Sequence, residues 1–164
     1  MTGPERALLY QLAAETGLRS NEIRSLKKSS FDFDKCEIVV KAGYSKRKRE
    51  DTLPLKPEMA AAIKNHLGNK LPTAQAFTLP SKGKIATMLR QDLAAAKIDY
   101  QDEAGKFADF HSLRHTTGSL LAAAGVHPKV AQALMRHSDI NLTLGRYSHI
   151  YKGQETDAIA SLPD

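Results

Sequence analysis

The 164-residue sequence has no tryptophan, one cysteine and only 6% aromatic residues. The lone Cys36 has no partner within the chain, which excludes an internal disulfide framework and points to a reducing compartment. No stretch approaches the ~20 apolar residues of a membrane-spanning helix, so no membrane partner is expected. The opening Met1-Thr-Gly-Pro-Glu-Arg6 carries charge with no apolar run behind it, unlike a secretory signal. Cytoplasmic localisation is therefore expected, with nucleoid association if the source is bacterial. No cysteine pair and no His-Glu-x-x-His pattern occurs, so the stronger zinc signatures are missing. Internal repeats, low-complexity tracts and linkers are absent as well.

What is there describes an ordinary globular chain. Hydrophobic residues make up 41%, and with few aromatics the core must be built on Leu, Ala, Ile and Val. A chain of this length fits a single domain, residues 1–164, and buries roughly 70% of its unfolded surface. Lys and Arg number 24 against 18 Asp and Glu, a net charge of +6. That balance favours a polyanionic partner, nucleic acid above all, although many soluble proteins share it.

The hydrophobic pattern predicts a mostly helical α+β fold with a small antiparallel sheet. A helix is expected over 5–16, with Ala7, Leu8, Leu9, Leu12 and Ala13 inward and Gly17 as its terminating glycine. Ser20 is read as the cap of a second helix with Ile23 and Leu26 inward. The period then shortens. Ser30–Asp34 alternates, Glu37–Lys41 is β-branched and Thr52–Leu55 is a further short run, together giving two or three strands. Further helices are expected over 57–67, 84–97, 111–124, 128–136, 141–150 and 155–162, with Pro128 at the first position of its helix. The last helix either closes the chain or docks on a neighbouring molecule. Leu120–Gly125 reads as core packing only.

Four segments carry chemistry: Thr16-Gly-Leu-Arg19 with Glu22, the basic run Lys46-Arg47-Lys48-Arg49, His111-Ser-Leu-Arg114-His115, and Leu134-Met-Arg136-His137 followed by Arg146-Tyr147-Ser-His149. Cutting a phosphodiester without water concentrates charge on the nonbridging oxygens. Guanidinium groups answer that charge with planar forks of donors, which Arg19 and Arg114 can supply. A tyrosine hydroxyl can attack and store the bond energy. A hairpin lysine can protonate the leaving 5′ oxygen, and histidines can bond the phosphate or relay a proton.

These segments resemble the boxes of the tyrosine recombinases, the phage-integrase family. Thr16-Gly-Leu-Arg19 with Glu22 resembles the first box and His111-x-x-Arg114-His115 the second. Leu134–His137 with Arg146-Tyr147-x-His149 resembles the third. Order, spacing and the intervening sheet agree over nearly the whole chain. The resemblance implies a tyrosine-recombinase catalytic-domain fold, with Arg19 and Arg114 clamping the scissile phosphate. Lys46 would be the general acid, His111 would assist proton transfer, His137 would bond the phosphate and Tyr147 would attack. The implied product is a 3′-phosphotyrosyl enzyme with a free 5′ hydroxyl, as in the related type IB topoisomerases. No metal, nucleotide or other cofactor is implied. The substrate would be double-stranded DNA, gripped also by Arg47, Lys48, Arg49 and Arg136, and cut and rejoined for integration or excision of a mobile element. Glu22 and His115 would support the site from behind, and strand exchange of this type implies a tetramer on DNA. Where relatives often have glycine before the third-box histidine, this chain has Arg136. The family's preceding helix and N-terminal DNA-gripping domain have no counterpart here, so a fragment of a longer protein is expected.

Other readings of the same residues stay open. His111 and His115, at i and i+4, suit a metal, and with His137 they would suggest a metal-dependent hydrolase. The basic surface alone would serve a non-catalytic DNA-binding module. Tyr151, one turn after Tyr147, is a rival nucleophile, and Lys48 and Lys41 are rival acids.

Overall fold

The computed structural model describes residues 1–44, 49–147 and 159–160. Its contacts fall into two compact units, residues 1–116 and 117–164.

The first unit opens with helix α1 (Gly3–Thr16), whose start is fixed by the Thr2 hydroxyl accepting from the Glu5 N–H and by an early proline. It ends at Gly17, left-handed at φ 63°, a conformation that costs a residue with a Cβ. Helix α2 (Ser20–Ser25) follows at once. Ser20 is its first residue rather than its cap. Arg19 holds the cap position, and its N–H is satisfied from inside the helix by Glu22.

Three short strands come next: β1 (Phe31–Asp32), β2 (Glu37–Val40) and β3 (Asp51–Pro54). They form one antiparallel sheet in that order, with Phe31 opposite Ile38 and Ile38 opposite Leu53. The alternation read over Ser30–Asp34 yields only the two residues of β1, because a 3₁₀ turn occupies Lys28–Ser30 and a turn follows Asp32. Helix α3 (Pro57–Leu67) packs on α1, and α4 (Ile85–Ala95) follows a 3₁₀ turn at Lys82–Lys84.

Leu9, Leu12, Ile23, Ile38, Val40 and Ile63 are fully buried in this unit's core. Each such side chain stabilises the fold by about 1.5–3 kcal/mol. Ala7 is exposed and Leu8 only half-buried, so the inward face of α1 is Leu9, Leu12, Ala13 and Thr16. Arg6, Tyr10 and Asp92 tie α1 to α4, with Arg6 Nε 2.8 Å and Tyr10 Oη 2.6 Å from the same carboxylate oxygen.

Helix α5 (Ser112–Ala123) runs across the boundary into the second unit, which continues with α6 (Pro128–Met135) and α7 (Asn141–Tyr147). Pro128 takes the first turn of α6, and the His127 ring accepts from the Lys129 N–H to cap it. Helices α6 and α7 pack together around Ala122, Ala131 and Tyr147, with Leu121 and Val126 against them. Leu120 is 56% exposed, so the apolar run 120–125 is not uniformly core; only Ala122 within it is fully buried. The expected helix over 141–150 is described as far as Tyr147. That over 155–162 lies outside the described residues except for Ile159 and Ala160.

Candidate active site

The tight passage from α1 to α2 sets the first candidate cation. Gly17 turns the chain, Leu18 buries, and Arg19 starts α2. The Glu22 carboxylate, 1% exposed, accepts from the Arg19 backbone N–H at 2.8 Å and from its guanidinium at 3.1 Å. Burying a carboxylate is costly unless it is paired and bonded, and here both conditions hold. The consequence is that Arg19, still 29% exposed, has few rotamers left and can present its remaining N–H groups to an anion.

Arg114 is held differently. Asp109 accepts from the Ser112 N–H and hydroxyl, which fixes the start of α5. Arg114 lies within the first turn and is only 3% exposed, with its guanidinium donating to the Gly17 carbonyl. One glycine turn therefore starts Arg19 on its helix and anchors Arg114 through a backbone oxygen. Sequence reading assigned Gly17 only a helix-ending role, because a backbone acceptor leaves no mark on side-chain identity.

His111 precedes α5 and is exposed, its ring edge-on to that of His115 at 4.9 Å. Arg19, Glu22 and His111 line one cavity of about 380 Å³, together with Leu18, Ser20, Asn21, Tyr44 and Phe110. Tyr44, 58% exposed, belongs to no motif, and Asn21, inside the first box, has no role assigned from the sequence. Among the described residues no three His, Cys, Asp or Glu side chains gather as a metal site.

The basic hairpin is only partly in view. Lys46, Arg47 and Lys48 lie outside the described residues. Arg49 is exposed and pairs with the buried Asp51 carboxylate at 3.0 Å, so in the free chain it holds the base of the hairpin. Lys41, the alternative acid, is exposed at the end of β2.

The second unit holds the other candidates. The His137 ring nitrogen Nδ1 lies 3.0 Å from the hydroxyl of the buried Thr143, which sets the ring orientation. Arg136 closes α6 in the left-handed conformation, φ 53°. This is the backbone state that glycine adopts without strain, which gives a physical reason for the glycine that the resemblance expects there. Read as a DNA-gripping or solvent-facing cation, Arg136 is instead 4% exposed, its side chain folded into the protein. Tyr147, at the end of α7, is 4% exposed, and its hydroxyl donates to the Val126 carbonyl at 2.5 Å. His149 and the rival Tyr151 lie outside the described residues.

Residues 3–154 match the model of the Phage integrase family. A tyrosine recombinase XerC-like protein of Caldanaerobacter subterraneus subsp. tengcongensis is 27% identical over an alignment 197 positions long, gaps included, covering 100% of this chain and 50% of that one. Tyrosine recombinase XerA of Thermococcus onnurineus is 27% identical over 158 residues, covering 90% and 54%. The chain thus spans about half the length of the curated relatives it matches. Among solved structures, the Tn1549 transposon integrase in complex with transposon right end DNA superposes with a TM-score of 0.74 at 22% identity, over 96% of this chain and 59% of that one. The catalytic domain of bacteriophage HP1 integrase gives 0.69 at 20% identity, over 97% and 82%. These likenesses make the fold that of a tyrosine-recombinase catalytic domain. By a match that runs through all three boxes, the chain belongs to the phage integrase family.

Proposed function

We propose that this chain is the catalytic part of a site-specific recombinase that cuts and rejoins double-stranded DNA for integration or excision of a mobile element. The observation that carries this reading is the cavity where Arg19 and His111 meet, with Arg19 locked by the buried Glu22 and Arg114 anchored to the adjoining Gly17 turn. Preset guanidinium groups of this kind are what a pentavalent phosphate demands, since they need no reorganisation as charge develops.

In the proposed reaction the Tyr147 hydroxyl gives up its bond to Val126, loses its proton and attacks phosphorus. The bond from phosphorus to the 5′ oxygen breaks, and Lys46 supplies the proton that makes it a hydroxyl. His111 assists proton transfer, His137 bonds the phosphate and His115 supports the site from behind. Attack by a 5′ hydroxyl on the phosphotyrosine reverses the step and rejoins a strand. The energy stays in the phosphodiester, so the scheme needs no metal and no nucleotide. Arg47 and Lys48 would grip the backbone beside the cut, in a tetramer on DNA. The relatives' names and the DNA in the Tn1549 complex support this assignment.

A nicked suicide duplex, from which the short fragment bearing the new 5′ hydroxyl drifts away on cleavage, should trap a covalent protein–DNA adduct in the presence of EDTA. Lys46→Ala should fail on ordinary DNA and recover when sulfur replaces the bridging 5′ oxygen, because a thiolate leaves without a proton. An adduct that EDTA abolishes would favour metal chemistry instead. Failure of sulfur to rescue would move the acid to Lys48 or Lys41.

A further inference from the structure

A second cavity, of about 410 Å³, adjoins the one that holds Arg19 and His111. Asn21 and Tyr44 line both, so the two spaces share a wall. Its remaining lining is Arg24, Ser25, Gly43 and Gln75. We propose that this second cavity is a subsite for the nucleotide next to the scissile phosphate, with Tyr44 as the residue on which that nucleotide stacks. The inference rests on the strand-cutting reading of the first cavity.

Four features support it. Among the described residues no carboxylate lines the second cavity, so nothing described in its lining repels a phosphate. Arg24 donates to the carbonyls of Leu79 at 3.2 Å and Pro80 at 2.6 Å, and among the described residues no carboxylate pairs with it. Its charge is therefore fixed in place and not neutralised, which favours an anion nearby. Tyr44 stands 58% exposed where the chain leaves β2 for the basic hairpin. An aromatic ring left in water beside a polar cavity offers a stacking face to a base unstacked from the duplex next to the cut. The volume suits one nucleotide and falls at the low end of small-ligand sites.

The test is equilibrium binding of the intact protein to duplexes carrying one abasic position, moved stepwise across the scissile phosphate. Tyr44→Ala should weaken binding of the intact duplex about tenfold, and Tyr44→Phe should bind normally, because stacking needs the ring and not the hydroxyl. At one position beside the cut, the abasic duplex should cost the wild type that same factor and cost Tyr44→Ala nothing more. Exposure of Tyr44 makes both variants compatible with folding, which circular dichroism checks. Unchanged binding by Tyr44→Ala would overturn the proposal, as would a deficit that adds to every abasic position alike. Absence of measurable wild-type binding would also overturn it. Adduct formation is read separately, so a protein that shows the Tyr44 pattern yet forms no adduct would refute the strand-cutting reading and leave the nucleotide site standing.

Discussion

In the first unit the guanidinium of Arg19 faces a carboxylate that is 1% exposed, and that of Arg114 donates to the Gly17 backbone carbonyl. In the second unit Tyr147 sits among Ala122, Ala131, Leu121 and Val126, its hydroxyl donating to the Val126 carbonyl. The roles proposed for these groups ask different things of them. A phosphate clamp works best if it is already in place, whereas a nucleophile has to change partners.

The largest effect should come from removing the preset cations. Arg19→Ala and Arg114→Ala should each slow single-turnover cleavage by roughly 10²–10³-fold while the fold survives. Near-normal cleavage by either would break the comparison, because bracing a group that does nothing explains nothing.

Loosening a brace without removing the cation should matter less. Glu22→Gln keeps an acceptor for the Arg19 N–H but loses the charge facing its guanidinium. Cleavage should fall roughly tenfold or more as Arg19 wanders, and stability by about 1–3 kcal/mol, read by urea unfolding. A stability loss without a rate loss would reduce Glu22 to a helix cap.

A smaller effect tests the scaffold under both arginines. Burial alone would raise the Asp92 carboxyl, but the bonds from Tyr10 and Arg6 outweigh it and hold it below its ordinary value. Its contribution is thus present above the unfolded value of ~3.9 and lost as pH falls through the folded one. Tyr10 is raised, by burial first and then by its bond to Asp92, so its contribution is present below ~10 and lost at higher pH. Asp92→Asn should lower the melting temperature at neutral pH and flatten its decline below pH ~4. An unchanged acid limb would remove Asp92 from the account.

The smallest effect is expected at Arg136. Its buried side chain makes Arg136→Gly nearly neutral for the salt dependence of DNA binding, which loses about 0.9 in log–log slope for each phosphate contact removed. A slope shallower by about one unit would return Arg136 to the DNA surface.

Much of the arrangement was legible in the sequence because it rests on short-range rules. Gly17 after an amphipathic run ends α1, Pro128 opens α6, and the shift to alternating β-branched residues marks β2 and β3. The family was legible through the resemblance of the boxes, and its model matches residues 3–154. Less legible were features that depend on what lies across the fold. Nothing local shows that the Gly17 carbonyl meets Arg114, 97 positions away, or that Arg136 lies inside the protein. Hydroxyls favour the cap position, which points to Ser20. The buried Glu22 made the cap one residue earlier instead.

The central claim is that the braced arginines serve a nucleophile at Tyr147, and the most direct measurement is the site of the covalent bond. The trapped adduct should be digested with protease and nuclease and the nucleotide-bearing peptide sequenced by mass spectrometry. The account predicts a nucleotide 3′-phosphate on Tyr147 and no adduct from Tyr147→Phe. A modified Tyr151, or an adduct that survives Tyr147→Phe, would contradict it.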